Sequence, residues 1–210
     1  MAIGQPREAH AKGPVTGAPE ARRDASGAPD GNDGAPTAAQ RRVVSLCLLA
    51  GLVMALSFVE IPAFVPWLKY DPSGAVSLLA TIAFGPVPAV AITVVGWLPH
   101  LFFDPFGTLI AIVTMACAIA ALAGARRLLP GRPGTLVGLG VASVVFVAVA
   151  LLLNVLITPL YNAMTVQGVL ALVVPVLLPF NLVKVGLCDA ITLALLVARR
   201  RLATRTSDGR

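Results

Sequence analysis

Charged side chains are scarce in this sequence. Only 12% of its 210 residues are Asp, Glu, Lys or Arg, whereas ordinary soluble domains carry about 25%. With 57% hydrophobic residues, the chain lacks the polar atoms needed to cover a water-exposed globule, which argues against a soluble enzyme. Its length allows at most roughly six spans of about 20 residues. We therefore expect one small all-α integral membrane domain.

Motifs for catalysis and ATP hydrolysis are also missing. The sequence contains no GxxxxGK[ST], HExxH or GxSxG pattern and no paired intramembrane aspartates. Cys47, Cys117 and Cys188 lie far apart without CxxC spacing, so we interpret them as buried small hydrophobic residues rather than disulfide partners or zinc ligands. The net charge of +6 comes from short basic clusters beside apolar runs, a pattern that does not predict nucleic-acid binding. We expect no enzymatic activity, no metal and no cofactor.

Composition divides the chain into three parts. Residues 1–40 are rich in Ala, Gly and Pro with almost no apolar core, which predicts a disordered cytoplasmic tail. Residues 41–200 form the membrane domain, and residues 201–210 form a basic cytoplasmic tail. Apolar runs in the membrane domain predict six transmembrane helices, at about 43–59, 73–84, 87–103, 107–125, 136–158 and 174–198. The second run rises only about 18 Å, so a start nearer Val65 is left open.

The basic residues indicate the orientation of these helices, because cytoplasmic loops carry the excess of Lys and Arg. If the second helix crosses the membrane, nine arginines fall on one side: Arg41, Arg42, Arg126, Arg127, Arg132, Arg199, Arg200, Arg201 and Arg205. The opposite loops, about 60–72, 104–106 and 159–173, contain only Lys69. We predict a multi-pass plasma-membrane protein with both termini in the cytoplasm.

The first outward loop combines flat aromatic side chains with charge. Trp67 and Tyr70 stand beside Lys69 and Asp71 in a stretch that three prolines stiffen. The two aromatic residues could anchor the chain at the membrane interface, with the charges solvated. Alternatively, the loop forms a lid over an outward pocket and stacks on a planar ligand.

The last helix carries a lysine at a depth where an ionisable group is costly unless it faces the protein interior. Lys184 lies three residues after Asn181, so both can project into one cavity. A purely structural role for Lys184, satisfied by Asp189 or a carbonyl, stays open. Asn154 in the fifth helix either bonds a neighbouring helix or lines the same pocket.

Two further pairs have weaker signals. His100 and Asp104 have i,i+4 spacing, which we interpret as a helix-end pair rather than a metal site or proton relay. Gly51 and Ala55 form a small-xxx-small pattern in the first helix. That pattern allows close approach of another helix, either inside the protein or in a partner subunit.

Four motifs, in order over residues 43–198, resemble the substrate-binding S components of energy-coupling factor (ECF) vitamin transporters, and among them the riboflavin-binding members. They are Leu68-Lys-Tyr-Asp-Pro-Ser73, Phe84-Gly-Pro-Val-Pro-Ala89, Asn154 with Pro159 and Tyr161, and Leu178-Pro-Phe-Asn-Leu-Val-Lys184. The sequence departs from the family pattern at Pro72 and Gly74. Polar residues common in the third helix are replaced by Thr93, Gly96 and Trp97, and a usual Asn of the fourth helix is absent.

The resemblance implies a six-helix capture protein for a vitamin, most simply riboflavin as transported ligand, that binds its substrate from outside beneath the first loop. The implied substrate-binding residues are Trp67, Lys69, Tyr70, Asp71, Asn154, Tyr161, Asn181 and Lys184. The implied partners are a transmembrane coupling subunit, docked through Gly51 and Ala55, and two ATPase subunits. The alternatives are an S component for another vitamin, and a small intramembrane enzyme or membrane assembly factor.

Overall fold

The computed structural model describes residues 37–63, Val65 and residues 68–208, with Arg200 and residues 202–208 as backbone only. Most of the tail expected at 1–40 lies outside the described residues, as does Trp67. Helix α1 begins at Ala38, where the Thr37 hydroxyl accepts the Gln40 backbone N–H and the Gln40 side chain accepts that of Thr37. Residues 38–40 of the expected tail are therefore helical.

The described chain is almost entirely helical apart from one short hairpin. Its elements are α1 (Ala38–Ser57), β1 (Ile61–Pro62), β2 (Lys69–Tyr70), α2 (Ser73–Phe84), α3 (Pro86–Trp97) with a 3₁₀ extension (Leu98–Phe102), α4 (Pro105–Leu128), α5 (Gly131–Tyr161), α6 (Val166–Leu172), a π-helical turn (Val173–Leu177) and α7 (Leu178–Asp208). The antiparallel hairpin pairs Ile61 with Tyr70 and Pro62 with Lys69.

All six predicted apolar runs are helical, and a start of the second helix near Val65 is wrong. The hairpin occupies that stretch, and α2 begins only after Pro72. The sixth run is longer than expected, because α6, the π-helical turn and α7 follow one another without a break. Helix α7 continues to Asp208, so residues 201–208 of the expected basic tail are helical too.

The two short helices α2 and α3 are joined by a turn that requires glycine. Gly85 has φ +94°, a conformation that costs side-chain-bearing residues free energy. Pro86 follows at the first position of α3, where its missing N–H and fixed φ suit a helix start. The Phe84-Gly85-Pro86 motif therefore reverses the chain within a few residues.

At this end of the bundle an arginine completes the C-terminus of α2. Arg126, near the end of α4, donates from Nη1 to the carbonyl oxygen of Ile82 at 3.1 Å and lies 3.5 Å from that of Thr81. The last carbonyls of a helix have no intrahelical partner and carry partial negative charge. One of the nine basic residues is thus located where α2 and α4 both end.

Four described helical segments are long and apolar enough to cross a membrane: 38–57, 105–128, 131–161 and 166–199. The other two, 73–84 and 86–102, are shorter apolar helices, so the count of six crossings stays a prediction. All three cysteines are free, and only Cys188 is buried. The expectation of three buried cysteines is wrong for Cys47, which is exposed on α1, because a lipid-facing surface accepts apolar side chains.

The arginine asymmetry predicts the orientation of the domain. In a background with the three native cysteines replaced by alanine, Ala63→Cys in the hairpin should react with a membrane-impermeant thiol reagent in intact cells. Arg132→Cys, at the exposed start of α5, should react only after the cells are permeabilised. Protection of residue 63 together with labelling of residue 132 would reverse the topology.

Candidate functional site

A cavity of about 390 Å³ opens where the C-terminal ends of α1, α3 and α5 meet the N-terminal turns of α4. Its volume falls in the range of small-molecule sites. Six of the eight substrate-binding residues expected from the sequence line it: Lys69, Asp71, Asn154, Tyr161, Asn181 and Lys184. Three of the four motifs, which are dispersed along the chain, therefore converge on one pocket.

A buried ion pair closes one side of the cavity. Lys184 Nζ lies 2.7 Å from Asp71 Oδ2, and the two side chains are 17% and 6% exposed. The second carboxylate oxygen of Asp71 accepts a hydrogen bond from the Ser73 hydroxyl. The Lys184 ammonium also lies 6.0 Å from the centre of the Phe180 ring, within the range of a cation–π contact. The segment between β2 and α2 is thereby tied to α7.

The partner of Lys184 is not one of those that the sequence suggested, although Lys184 also lines the cavity. Its partner is Asp71, 113 positions earlier in the chain, and not Asp189 or a carbonyl. Asp189 instead accepts a hydrogen bond from Ser143 on α5 at 2.5 Å. Lys184→Met would leave the buried Asp71 carboxylate without its partner, so we expect this change to destabilise the ligand-free protein.

Asn154 and Asn181 bring amide groups into the cavity from two different helices. Each donates one amide hydrogen to the carbonyl four residues earlier, Ala150 and Leu177, at 2.7 Å. An amide has two hydrogens and a carbonyl oxygen, so each side chain keeps hydrogen-bonding capacity for a ligand. Both are buried. Their bonds are within their own helices, so neither serves as interhelical glue among the described residues.

The π-helical turn before α7 helps to place Asn181. Pro175 and Pro179 lack the N–H that would continue a regular α-helical ladder, and the Leu178 N–H bonds the Val173 carbonyl five residues back. Such π-turns are frequent at functional sites. Here the turn immediately precedes the segment that carries Phe180, Asn181 and Lys184.

Aromatic side chains stand at the rim and behind the wall. Tyr161 lines the cavity and stacks on Phe106 with ring centres 5.3 Å apart. Tyr70 is not among the lining residues; its ring packs on Phe180, 4.8 Å away, and Phe180 itself faces the cavity. Tyr70 thus supports the wall, and the place of Trp67 lies outside the described residues.

Sequence reasoning missed part of the lining. Glu60 pairs with Lys69 across the base of the hairpin, and His100, Asp104 and Thr114 also face the cavity. The expected His100 and Asp104 pair is wrong: Asp104 caps α4 by accepting the Gly107 N–H at 2.8 Å, whereas His100 packs between Phe58 and Trp97. The sequence signal that could have indicated His100 is a lone histidine within an apolar run.

The described residues contain no group of three or more His, Cys, Asp or Glu side chains that could hold a metal ion.

The small residues of α1 are not among those that line the cavity. Gly51 and Ala55 are exposed, and no atom of the described chain lies within 4 Å of the position a Gly51 side chain would take. Gly96 of α3 is different, because an added Cβ there would lie 2.5 Å from Val53 of α1. Gly51 and Ala55 do not pack in this way against another helix among the described residues.

The Asp71–Lys184 geometry predicts a large stability effect. Lys184→Met should lower the free energy of unfolding of the ligand-free protein by about 3–5 kcal/mol, the usual cost of removing one partner of a buried pair. Adding Asp71→Asn to Lys184→Met should recover most of that loss. The measurement is thermal or denaturant unfolding of the protein in detergent.

Lys69→Met is the matched control, because the Lys69–Glu60 pair is half-exposed. Exposed pairs contribute about 0–1 kcal/mol, so this variant should unfold close to the wild type. Equal stabilities of Lys184→Met and Lys69→Met would contradict a stabilising role for the buried pair.

Comparison with known proteins identifies similar transporters. No protein-family model matches the sequence. The chain is 29% identical over 177 residues to the riboflavin transporter RibU of Staphylococcus aureus (strain TCH60), which covers 78% of this chain and 90% of that protein. It also superimposes on a solved S component of a bacterial ECF transporter with a TM-score of 0.65 and 26% identity, over 79% of this chain and 97% of that one.

These relatives are transport proteins, which confirms that the chain is not an enzyme. They also confirm the resemblance that the motifs indicated and, together with the apolar helices, support a multi-pass membrane protein. The chain is thus similar in sequence to a riboflavin transporter and similar in fold to an S component of an ECF transporter.

Proposed function

We propose that this protein captures riboflavin at the outer face of the plasma membrane, as the substrate-binding subunit of an ECF transporter. The observation that carries the proposal is the meeting of Asn154 and Asn181 in one cavity. These residues belong to two motifs shared with riboflavin-binding S components. The similarity to the Staphylococcus aureus riboflavin transporter supports the same substrate.

The chemistry of the cavity suits this ligand. Riboflavin joins a flat tricyclic ring bearing two carbonyl groups to a chain of hydroxyl groups. The Phe180 and Tyr161 rings offer aromatic surface, and the two buried amides offer donors and acceptors with fixed positions. Lys69 and Asp71, at the hairpin, stand at the side of the pocket that faces outward in the proposed topology.

One observation favours a second candidate, an S component for a different vitamin. Of the three residues that replace polar side chains in the third helix, Thr93 is bonded to Ser77 and Ala89 and Gly96 packs on Val53. Only Trp97 faces the cavity. The α3 side of the cavity therefore departs from the family pattern. A preference for a different ligand would depend on the residues of this side.

Ligand binding separates these candidates. The detergent-purified full chain should be yellow and should release a flavin on denaturation. Replacing Asn181 or Asn154 with leucine should weaken riboflavin binding about tenfold each, because each change removes hydrogen bonds of about 0.5–1.5 kcal/mol apiece. Titration by quenching of flavin fluorescence measures the change. A colourless protein that binds another vitamin in a calorimetric titration would favour the second candidate.

We also propose that α1 docks on a transmembrane coupling subunit, which two ATPase subunits energise. Gly51 and Ala55 are one turn apart on the exposed side of α1, with open space above Gly51. In lipid, small residues permit the close backbone approach on which helix association depends. The lack of an internal partner for Gly51 among the described residues favours docking of another subunit.

Bulky residues on α1 should therefore block transport without affecting capture. Gly51→Leu or Ala55→Leu should abolish most riboflavin uptake by cells while leaving the affinity of the purified protein within twofold of the wild type. Gly140→Leu is the control, since Gly140 on α5 also faces open space; it should leave both properties intact. Loss of binding together with uptake in the α1 variants would assign Gly51 and Ala55 to internal packing.

A further inference from the structure

Two buried polar side chains of the cavity make no side-chain hydrogen bond to the described residues of the ligand-free protein. His100 is 5% exposed and Thr114 is 1% exposed, and both line the cavity. Neither the imidazole nitrogens of His100 nor the hydroxyl of Thr114 has a hydrogen-bond partner among the described residues. Buried polar groups are normally paired, and leaving one unpaired is costly.

His100 is held in place by stacking rather than by hydrogen bonds. Its ring centre lies 4.3 Å from that of Phe58 and 4.8 Å from that of Trp97. The nearest charged contact that the structure gives is Glu60 Oε1, 3.9 Å from Nε2, which is too long for a hydrogen bond. The ring is therefore fixed by apolar neighbours while both nitrogens stay available to a group inside the cavity.

Thr114 departs from the behaviour of most other buried threonines in these helices. A threonine in a helix commonly bonds the carbonyl four residues earlier. Five described threonines do so: Thr81, Thr93, Thr108, Thr135 and Thr192. The Thr114 hydroxyl makes no such bond, although it is as buried as they are. Its hydroxyl is thus left for a partner that the ligand-free chain lacks.

The two side chains belong to other helices than the buried asparagines do. His100 is in the extension of α3, and Thr114 is on α4, two turns beyond Gly107, which also lines the cavity. Seven helical residues span about 10 Å, so this wall extends deep into the pocket. Asn154 and Asn181 come from α5 and α7 and face the cavity from the other helices.

We propose that His100 and Thr114 hydrogen-bond the captured vitamin and determine its selection from the α3–α4 wall, where this chain lacks the polar residues usual in its relatives. The inference rests on the proposed function of the cavity. A neutral imidazole and a hydroxyl each donate and accept one or more hydrogen bonds. They therefore match a ligand rich in hydroxyl and carbonyl groups, such as riboflavin.

Riboflavin titration of the purified full chain tests this role. His100→Phe keeps a ring for stacking on Phe58 and Trp97 but removes both nitrogens, and Thr114→Val keeps the shape but removes the hydroxyl. Each should weaken binding about two- to tenfold, the effect of one neutral hydrogen bond. The melting temperature of the ligand-free protein should stay equal or rise, because an unpaired polar group has been removed. His100→Gln, which retains a donor and an acceptor, should recover part of the affinity.

Thr192→Val is the matched control, because the Thr192 hydroxyl is bonded to Cys188 at 2.7 Å and is not among the lining residues. It should leave affinity unchanged. Wild-type affinity in both His100→Phe and Thr114→Val would overturn this inference while the proposed function stands. If the variants bind more weakly and their ligand-free forms lose the same amount of free energy of unfolding, the two residues have a structural role. That result would also overturn the inference. A wild-type protein that binds no riboflavin would overturn the proposed function and this inference with it.

Discussion

The ion pair between Asp71 and Lys184 is the contact on which the arrangement of the site depends. In a membrane domain neither charge can be left alone, because the surrounding medium does not solvate it. Their mutual attraction and the Ser73 hydrogen bond offset that cost. Since Asp71 stands between β2 and α2 whereas Lys184 stands on α7, the pair fixes the hairpin, the start of α2 and the wall that carries Asn181 relative to one another. Each strand of the hairpin has only two residues, and a hairpin of that size is not stable alone.

Close packing beneath this pair explains one departure from the family pattern. The position after Ser73, where relatives carry an acidic residue, is Gly74, and an added Cβ there would lie 2.6 Å from Met115 Cε and 3.0 Å from Cys188 Sγ. Any larger side chain would have to displace Met115 of α4 and Cys188 of α7. Helix α2 therefore packs directly on α4 and α7 at Gly74.

The sequence predicts the helices well, because long apolar runs interrupted by Gly, Pro and charge leave few alternatives in a chain with so little polar surface. It also identifies six residues that line the pocket, since three of the four motifs include Lys69, Asp71, Asn154, Tyr161, Asn181 and Lys184. It does not identify the partner of Lys184, because a pairing across 113 positions leaves no trace in local spacing. His100 is misassigned for a related reason: the i,i+4 rule applies to a continuous helix, whereas here a 3₁₀ segment ends at Phe102 and Asp104 begins a new helix. Burial is also harder to predict in a membrane protein, as Cys47 illustrates, since an apolar side chain gains little by leaving lipid.

The two ion pairs at the hairpin differ in a way that bears on how a ligand reaches the cavity. The Lys69–Glu60 pair spans the base of the hairpin, and its side chains are 48% and 34% exposed, whereas the side chains of the Lys184–Asp71 pair are 17% and 6% exposed. Separating an exposed pair costs little, because water replaces each partner. Separating the buried one leaves two charges without solvent and costs several kcal/mol. The Lys69–Glu60 contact therefore holds the hairpin weakly, whereas Asp71 anchors the end of β2 and the start of α2 firmly on α7. The position of the α7 wall, with Asn181, thus depends on the buried pair and not on the exposed one.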